Sequence, residues 1–325
     1  MAVIVTVTPN PGLDRTLTVP SITFNEMIRA KASRLDWGGK GLNVSRALQA
    51  LGVESVATGF LGGATGHMLE GGLHDLGIAT DFVPIAGETR TNTVIAEAET
   101  ERYVKVNEAG PTVRAEEVAA FLDRTRGRIQ PGDIWVLSGS LPPGVAPDFY
   151  AEVIALVQAS DALALLDSSG EPLRLGCAAS PYLVKPNLAE AEAMTGQRIR
   201  SEAEALAAAD CFLQQGIELA ALSLGADGLL LASKHEAIWA RPPRVPVRNP
   251  VGAGDALLAG IASALASAGR PQGAPNRPAL EDIARWGVAA GTAAAMREGV
   301  DVGTRAEVET LYQQVQTRPG GLDRL

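Results

Sequence analysis

Four short stretches hold residues whose types and spacing could handle phosphate. NPVGAGDALLAG (249–260) sets Asp255 directly after Gly252, Ala253 and Gly254, at what reads as a helix start. A helix N-terminus leaves N–H groups unpaired and carries about half a positive charge, so it attracts anions. Small residues let a phosphoryl group approach those N–H groups closely. Asp255 then has two readings: a helix cap, or a general base beside an anion site. On this stretch alone, capping is the more economical.

WGGKGLNVSRAL (37–48) removes side chains at Gly38, Gly39 and Gly41 and places Lys40 and Asn43 beside bare backbone. It is a tight turn with a solvated lysine, or a turn that binds a polar ligand. VKPNLAEAE (184–192) puts Asn187 and Glu190 three apart on one helix face. They suit an N-cap with its capping-box partner. They equally suit a hard-cation site, with Glu190 holding Mg²⁺ through water and Asn187 near nucleotide phosphates. SLGADG (223–228) is a polar turn between two strands that says little alone.

Other chemistries are missing. Gly39-Lys40 is followed by Gly41, so there is no Walker-type phosphate loop. The glycines at 252 and 254 come too late in the chain for a dinucleotide fingerprint. His67, His74 and His235 form no HExxH pair, and no serine sits in a GxSxG elbow. Cys177 and Cys211 match no metal spacing and fit a reducing compartment. A net charge of −9 argues against nucleic-acid and anionic-membrane partners. No apolar run is long enough for a membrane span or signal peptide, so a soluble cytoplasmic protein is expected.

The elements that must position these turns alternate along the 325 residues. AVIVTVT (2–8) reads as a buried strand, then RTLTVP (15–20) and KASRLDW (31–37) as half-exposed strands, then GLNVSRALQAL (41–51) as a helix. Strands are expected at ESVATGFL, ATDFVPI, DIWVLSG, ALALLD, YLVKP and LAALSLG. Helices are expected at GHMLEGGLHDLG, EEVAAFLDRTR, DFYAEVIALVQA, AEAEAMTG and EAEALAAADCFLQQG. TNTVIAEAE and RYVKVNE read as an exposed hairpin. Two short strands (228–233, 236–240) precede helices near 253–268, 279–297 and 304–316. RPQGAPNRP (270–278) reads as a surface loop and 317–325 as a frayed tail. Such alternation predicts an α/β fold with a mostly parallel sheet covered by helices on both faces. The polar strand groups near 15–37 and 87–108 fit a buried sheet poorly and predict a small second sheet.

Taken in order, these turns resemble the phosphofructokinase B family of sugar kinases. GGKGLNV and NPVGAGDALLAG match its two signature regions, and KPNLAE its NxxE magnesium motif. NPGLDRT (10–16), GETRTN (87–92), SGSLPPG (138–144), DSSGE (167–171), SLGADG and GVAAGTAA (287–294) resemble segments of its phosphosugar branch. That branch holds 1-phosphofructokinase, the minor 6-phosphofructokinase and tagatose-6-phosphate kinase. The resemblance implies one ribokinase-like α/β/α domain over 1–325, with a β-sheet lid formed by about 12–37 and 87–109. It implies an ATP- and Mg²⁺-dependent kinase that turns fructose 1-phosphate or fructose 6-phosphate into the bisphosphate. Alternatives are tagatose 6-phosphate, an unphosphorylated sugar or nucleoside, or a catalytically silent binding protein.

By the same resemblance Asp255 is the catalytic base, with the N–H groups of Gly252, Ala253 and Gly254 as its anion hole. Asp14, Gly38, Gly39 and Asn43 hold sugar hydroxyls. Arg90 and Ser138 hold the substrate's own phosphate, helped by Arg29, Lys40 and Lys105. Lys185, Asn187, Ser223, Gly225, Gly228, Val288 and Gly291 border the nucleotide, and Glu190 with Asn187 organises Mg²⁺. A homodimer through the lid strands is expected. Two positions depart from the family pattern. Asn249-Pro250 replaces the usual Asp-Thr or Ser-Thr, and Met27 stands where the 6-phosphofructokinases tend to have lysine. Lys40 leans instead towards the 1-phosphofructokinases and tagatose-6-phosphate kinases, while GGATG (62–66) and GVAAG (287–291) lean back towards the 6-phosphofructokinases.

Overall fold

A computed structural model describes residues 2–100, 102–267, 279–297, 299 and 301–320. Ile4–Thr8 (β1) is buried along its whole length, as a β-branched run between two helical layers must be. Gly12–Val19 (β2) and Ala32–Gly38 (β3) pair antiparallel away from the main sheet. Lys40–Ala50 (α1), Ser55–Leu61 (β4) and Gly63–Asp75 (α2) follow. ATDFVPI makes two short strands, Ala79–Thr80 (β5) and Val83–Pro84 (β6), rather than one. Between them Asp81 turns to Arg124 and Arg128, at 3.1 and 2.9 Å.

Arg90–Glu97 (β7) and Tyr103–Val106 (β8) form the expected hairpin. Then come Ala115–Arg128 (α3), Ile134–Ser138 (β9), Phe149–Ala159 (α4) and Leu163–Asp167 (β10). Gly170–Ala178 (α5) is a helix that its breakers hide: Gly170, Pro172 and Gly176 lower local propensity. Packing overrides it: a Cβ on Gly176 would stand 2.6 Å from Leu166 Cδ2, so glycine lets α5 lie close against β10. Leu183–Val184 (β11), Leu188–Thr195 (α6), Glu202–Leu213 (α7), Leu219–Ser223 (β12), Leu229–Ala232 (β13) and Ala237–Arg241 (β14) complete the middle of the chain.

Ala253–Ser267 (α8), Leu280–Ala295 (α9) and Arg305–Gln314 (α10) are the last helices. Gln316–Gly320 (β15) then pairs antiparallel with β14, so this part of the expected tail is an edge strand. Pro319 is tolerated there because an edge need not donate every N–H, and Arg318 lies over Trp239. The loop expected at 270–278 and residues 321–325 lie outside the described residues.

Among the described residues the main sheet has eleven strands in the order β15-β14-β13-β12-β11-β10-β9-β1-β4-β5, with β6 also on β4. It is parallel from β12 to β5 and antiparallel beyond. Alternation along each strand feeds two cores. Val5, Val7, Trp135, Leu137 and Leu166 face α3 to α7. Ile4, Ile134, Val136 and Leu165 face α1 and α8 to α10. On the first side Phe60, Phe121 and Phe149 form a triangle with centroids 5.2 to 6.0 Å apart. Truncating Phe149 to alanine would cost about 3–5 kcal/mol. The second sheet runs β3-β2-β7-β8, four strands with β2 and β7 parallel. This is the mostly parallel α/β architecture with a small extra sheet that the sequence predicts.

Candidate active site

The parallel strands β1, β9, β10 and β11 are neighbours, and their carboxyl ends carry Thr8, Ser138, Asp167 and, one residue on, Lys185. Ligands of open α/β sheets bind at that edge. Asp167 stands opposite Ser138 in the β9–β10 register. Its Oδ1 accepts from Lys40 Nζ at 2.9 Å. Lys185 Nζ lies 3.1 Å from Oδ2 as an ion pair without hydrogen-bond alignment. Burial works against the Asp167 charge, but Lys185 and Lys40 hold its carboxyl below the usual range. Burial likewise works against the Lys40 ammonium, and Asp167 outweighs it, raising that group.

Asp255 is the third residue of α8 and is buried. Its Oδ2 accepts from Asn43 Nδ2 of α1 at 2.8 Å, across 212 positions of sequence. No hydrogen bond links its carboxylate to a backbone N–H of its own helix among the described residues, which removes the capping reading. Burial and the Asp167 charge push the Asp255 carboxyl up to about 6, against the Asn43 hydrogen bond and the two lysines. The chain enters α8 through Gly252, whose φ of 83° suits glycine. Ala253 N–H donates to Pro250 O at 3.3 Å, so of the three expected anion-hole donors one is already engaged. Gly252 and Gly254 N–H donate to no group among the described residues. A Cβ on Gly254 would stand 3.5 Å from Lys185 Nζ, which sets that ammonium beside the helix start. Asn249 shapes the lead-in: it accepts from Val251 N–H at 3.0 Å and donates to Gly299 O at 3.2 Å.

The second sheet meets this cluster through the start of α1. Asp14, on β2, accepts from Asn92 at 2.8 Å. A Cβ on Gly38 would fall 2.4 Å from Asp14 Oδ2, so the carboxylate lies directly over that glycine. Gly39 and Gly41 pack as closely on Thr8. Arg90 Nη2 and Nη1 donate to the carbonyls of Asn10 and Glu108 at 2.8 and 3.0 Å. Burial lowers its guanidinium, against Asp14 and Glu108. A cleft of about 490 Å³ lies where the chain enters and leaves this sheet. Gly87, Glu88, Arg90, Glu108, Gly110 and Arg114 line it; Asp255 does not.

Several buried polar atoms of this region have no partner: Thr8 Oγ1, Asn10 Oδ1, Asn43 Oδ1, Arg90 Nε, Asn92 Oδ1 and Ser138 Oγ. Buried polar groups are otherwise satisfied as a rule, so a run of orphans around one place marks room for a polar ligand. Ser138 is held there by the next residue, since Tyr150 Oη and Ser168 Oγ both donate to Gly139 O, at 2.9 and 3.0 Å.

The remaining candidates divide. Asn187 and Glu190 form a full capping box, with bonds of 2.8 and 2.9 Å. Asn187 also bridges to Ser223. Gly225 and Gly228 form the turn after β12, where a Cβ on Gly228 would stand 2.1 Å from Ala240 O. Val288 and Gly291 are buried in the α8–α9 seam, where Gly291 meets Ala253 O and Leu257. Arg29 is exposed in the β2–β3 loop and Lys105 on edge strand β8, and neither is bonded or ion-paired to the Asp167 cluster. Asp167, Thr8 and Asn92 carry no assigned role in the sequence reading. Asp167 was the most accessible of them, as an acid at a strand end before Ser-Ser-Gly.

The model of the pfkB family carbohydrate kinases matches residues 12–306. This chain belongs to that family. As a pfkB kinase it is a phosphotransferase acting on a sugar hydroxyl. It is 34% identical to the 1-phosphofructokinase of Bacillus subtilis, over 96% of this chain and 98% of the relative. Identity is also 34% to the ATP-dependent 6-phosphofructokinase isozyme 2 of Mycobacterium tuberculosis, over 95% and 89%. The structure of phosphofructokinase-2 from Escherichia coli with fructose-6-phosphate superposes with a TM-score of 0.87 at 30% identity, covering 97% of this chain and 99% of that one. No helix among the described residues is long and apolar enough to cross a membrane.

Proposed function

We propose that this pfkB kinase moves the γ-phosphoryl group of ATP to a free hydroxyl of a fructose monophosphate, the 1-phosphate or the 6-phosphate, giving the bisphosphate and ADP. The observation that carries the reading is Asp255, buried at the start of α8 beside unpaired N–H groups and held by Asn43. Asp255 takes the hydroxyl proton as the oxygen–phosphorus bond forms and the β–γ bridging bond breaks. Gly252 and Gly254 N–H groups receive the charge on the transferred group, with Ala253 joining once it leaves Pro250. One such donor is worth ~3 kcal/mol. Lys40 and Lys185 oppose the phosphate charges beside that helix start.

Asp14, with Asn92, Asn43 and the bare backbone at Gly38 and Gly39, receives the sugar hydroxyls. Ser138 Oγ and Arg90 Nε, both orphan donors, receive the substrate's own phosphate. A guanidinium suits that group because of its fixed donor fork. Asn187, Ser223, Gly225 and Gly228 border the nucleotide. Glu190 keeps one carboxylate oxygen clear of its capping bond and offers a hard donor. Among the described residues no cluster of three His, Cys, Asp or Glu forms a metal cage. Mg²⁺ arrives with phosphates and keeps several waters, so it needs few protein ligands, and it would neutralise charge on the phosphoryl oxygens.

The second sheet acts as the lid of a single kinase domain. Its exposed Leu35, Tyr103, Val104 and Val106, with Phe24 and Met27 in the β2–β3 loop, support pairing of two copies through it. A coupled ADP-release assay over sugars and sugar phosphates tests the reading. ADP should appear with fructose 1-phosphate or fructose 6-phosphate and not with free fructose. Release with an unphosphorylated sugar alone, or with none, overturns it.

A further inference from the structure

Asp167 has no part in the transfer laid out above, yet it is the most enclosed carboxylate at the site, 1% exposed. Its two oxygens are divided between lysines from two other elements, Lys40 of α1 at 2.9 Å and Lys185 after β11 at 3.1 Å. Its carbonyl accepts Gly139 N–H at 3.0 Å, and its register partner is Ser138. A buried carboxylate is costly unless paired, so its presence calls for a reason. Lysine side chains are long and sample many rotamers, so two of them converge on one spot only if something holds them. Oδ1 is hydrogen-bonded to Lys40 and Oδ2 is ion-paired with Lys185, so both oxygens face ammonium groups.

We propose that Asp167 is a positioning residue: it clamps Lys40 and Lys185 side by side at the start of α8, so that two positive charges stand in place before the phosphates arrive. Lys185 is placed against Gly254, and Lys40 lies within electrostatic reach of both Asp255 and Glu190. The clamp rests on the kinase reading above. It also acts on Asp255 directly: the Asp167 charge disfavours ionisation of Asp255, and the two lysines favour it. Anchoring the lysines through a carboxylate therefore keeps the base from losing its proton affinity to them.

The test is Asp167→Asn, read in two ways. Turnover should fall about 100-fold through misplaced lysines, while KM for ATP and acceptor stays within about threefold. Titration of the Asp255 carboxyl by carbon NMR in the ligand-free protein should show its midpoint moved to lower pH, because a negative neighbour is gone. A residue serving only the fold would lower the melting temperature and leave turnover per folded molecule within about threefold of wild type. An unmoved midpoint, or turnover within about threefold of wild type, overturns the clamp. If Asp167→Asn does not fold, Lys40→Met decides by the same titration. Loss of a positive neighbour should move the Asp255 midpoint to higher pH, and no movement overturns the proposal. The titration needs no turnover, so a wild-type chain silent on every acceptor would sink the kinase reading and leave the clamp to be judged separately.

Discussion

Asp255 and Glu190 occupy the same place in their helices, the third residue of α8 and of α6, yet they do different things. Glu190 is exposed and closes a capping box, because the residue three before it is Asn187, whose side chain can accept its N–H. Asp255 has Gly252 three before it, with no side chain to share, and its carboxylate is met instead by Asn43 from α1. One acid serves its own helix. The other is buried away from water, faces a second carboxylate, and holds its proton up to about pH 6. Helix position alone does not set the role of an acid; the residue before it and the neighbours from other elements do.

Exchanging each acid for its amide separates the two roles. Asp255→Asn should lower turnover by about 10²–10⁴-fold, the usual worth of a positioned base. Its stability should move the opposite way. A carboxyl whose folded pKa lies above the unfolded 3.8 destabilises the fold once it ionises, so stability falls as pH rises from about 4 to about 6. Differential scanning calorimetry at pH 8 should therefore show the amide variant more stable, by up to ~3 kcal/mol. Glu190→Gln should raise the Mg²⁺ concentration needed for half-maximal turnover by about tenfold, read by metal titration, and leave the pH profile alone. The smallest effect belongs to Asn187→Ala, which removes one cap and should cost about 1 kcal/mol in urea unfolding.

Much of this was legible in residue order. Strand–helix alternation predicts the layered sheet, and the polar strands near 15–37 and 87–108 predict the second one, because half-exposed strands cannot lie between two helical layers. The hidden parts depend on contacts between distant segments. α5 carries glycines and a proline, and the packing of Leu173, Gly176 and Cys177 on the sheet is a tertiary contact that local propensity does not show. β15 reads as a tail until β14 offers it an edge. At the site, single turns offer Asp255, Lys40 and Asn43 as candidates, with capping the more economical local reading of Asp255, but nothing local says that Asn43 reaches Asp255 or that Lys40 and Lys185 share Asp167. Val288 and Gly291, drawn towards the nucleotide by family pattern, are buried between α8 and α9, a packing that residue order alone does not reveal.

The central claim is that Asp255 takes the acceptor proton from its buried place beside Asn43. The acid limb of turnover against pH, measured for wild type and Asn43→Ala with both substrates saturating, tests it most directly. The Asn43 hydrogen bond favours the ionised carboxylate, so its loss should raise the midpoint. Wild type should show a limb near pH 6, displaced to higher pH in the variant. A phosphate on the substrate would titrate identically in both, so coinciding limbs would contradict the claim.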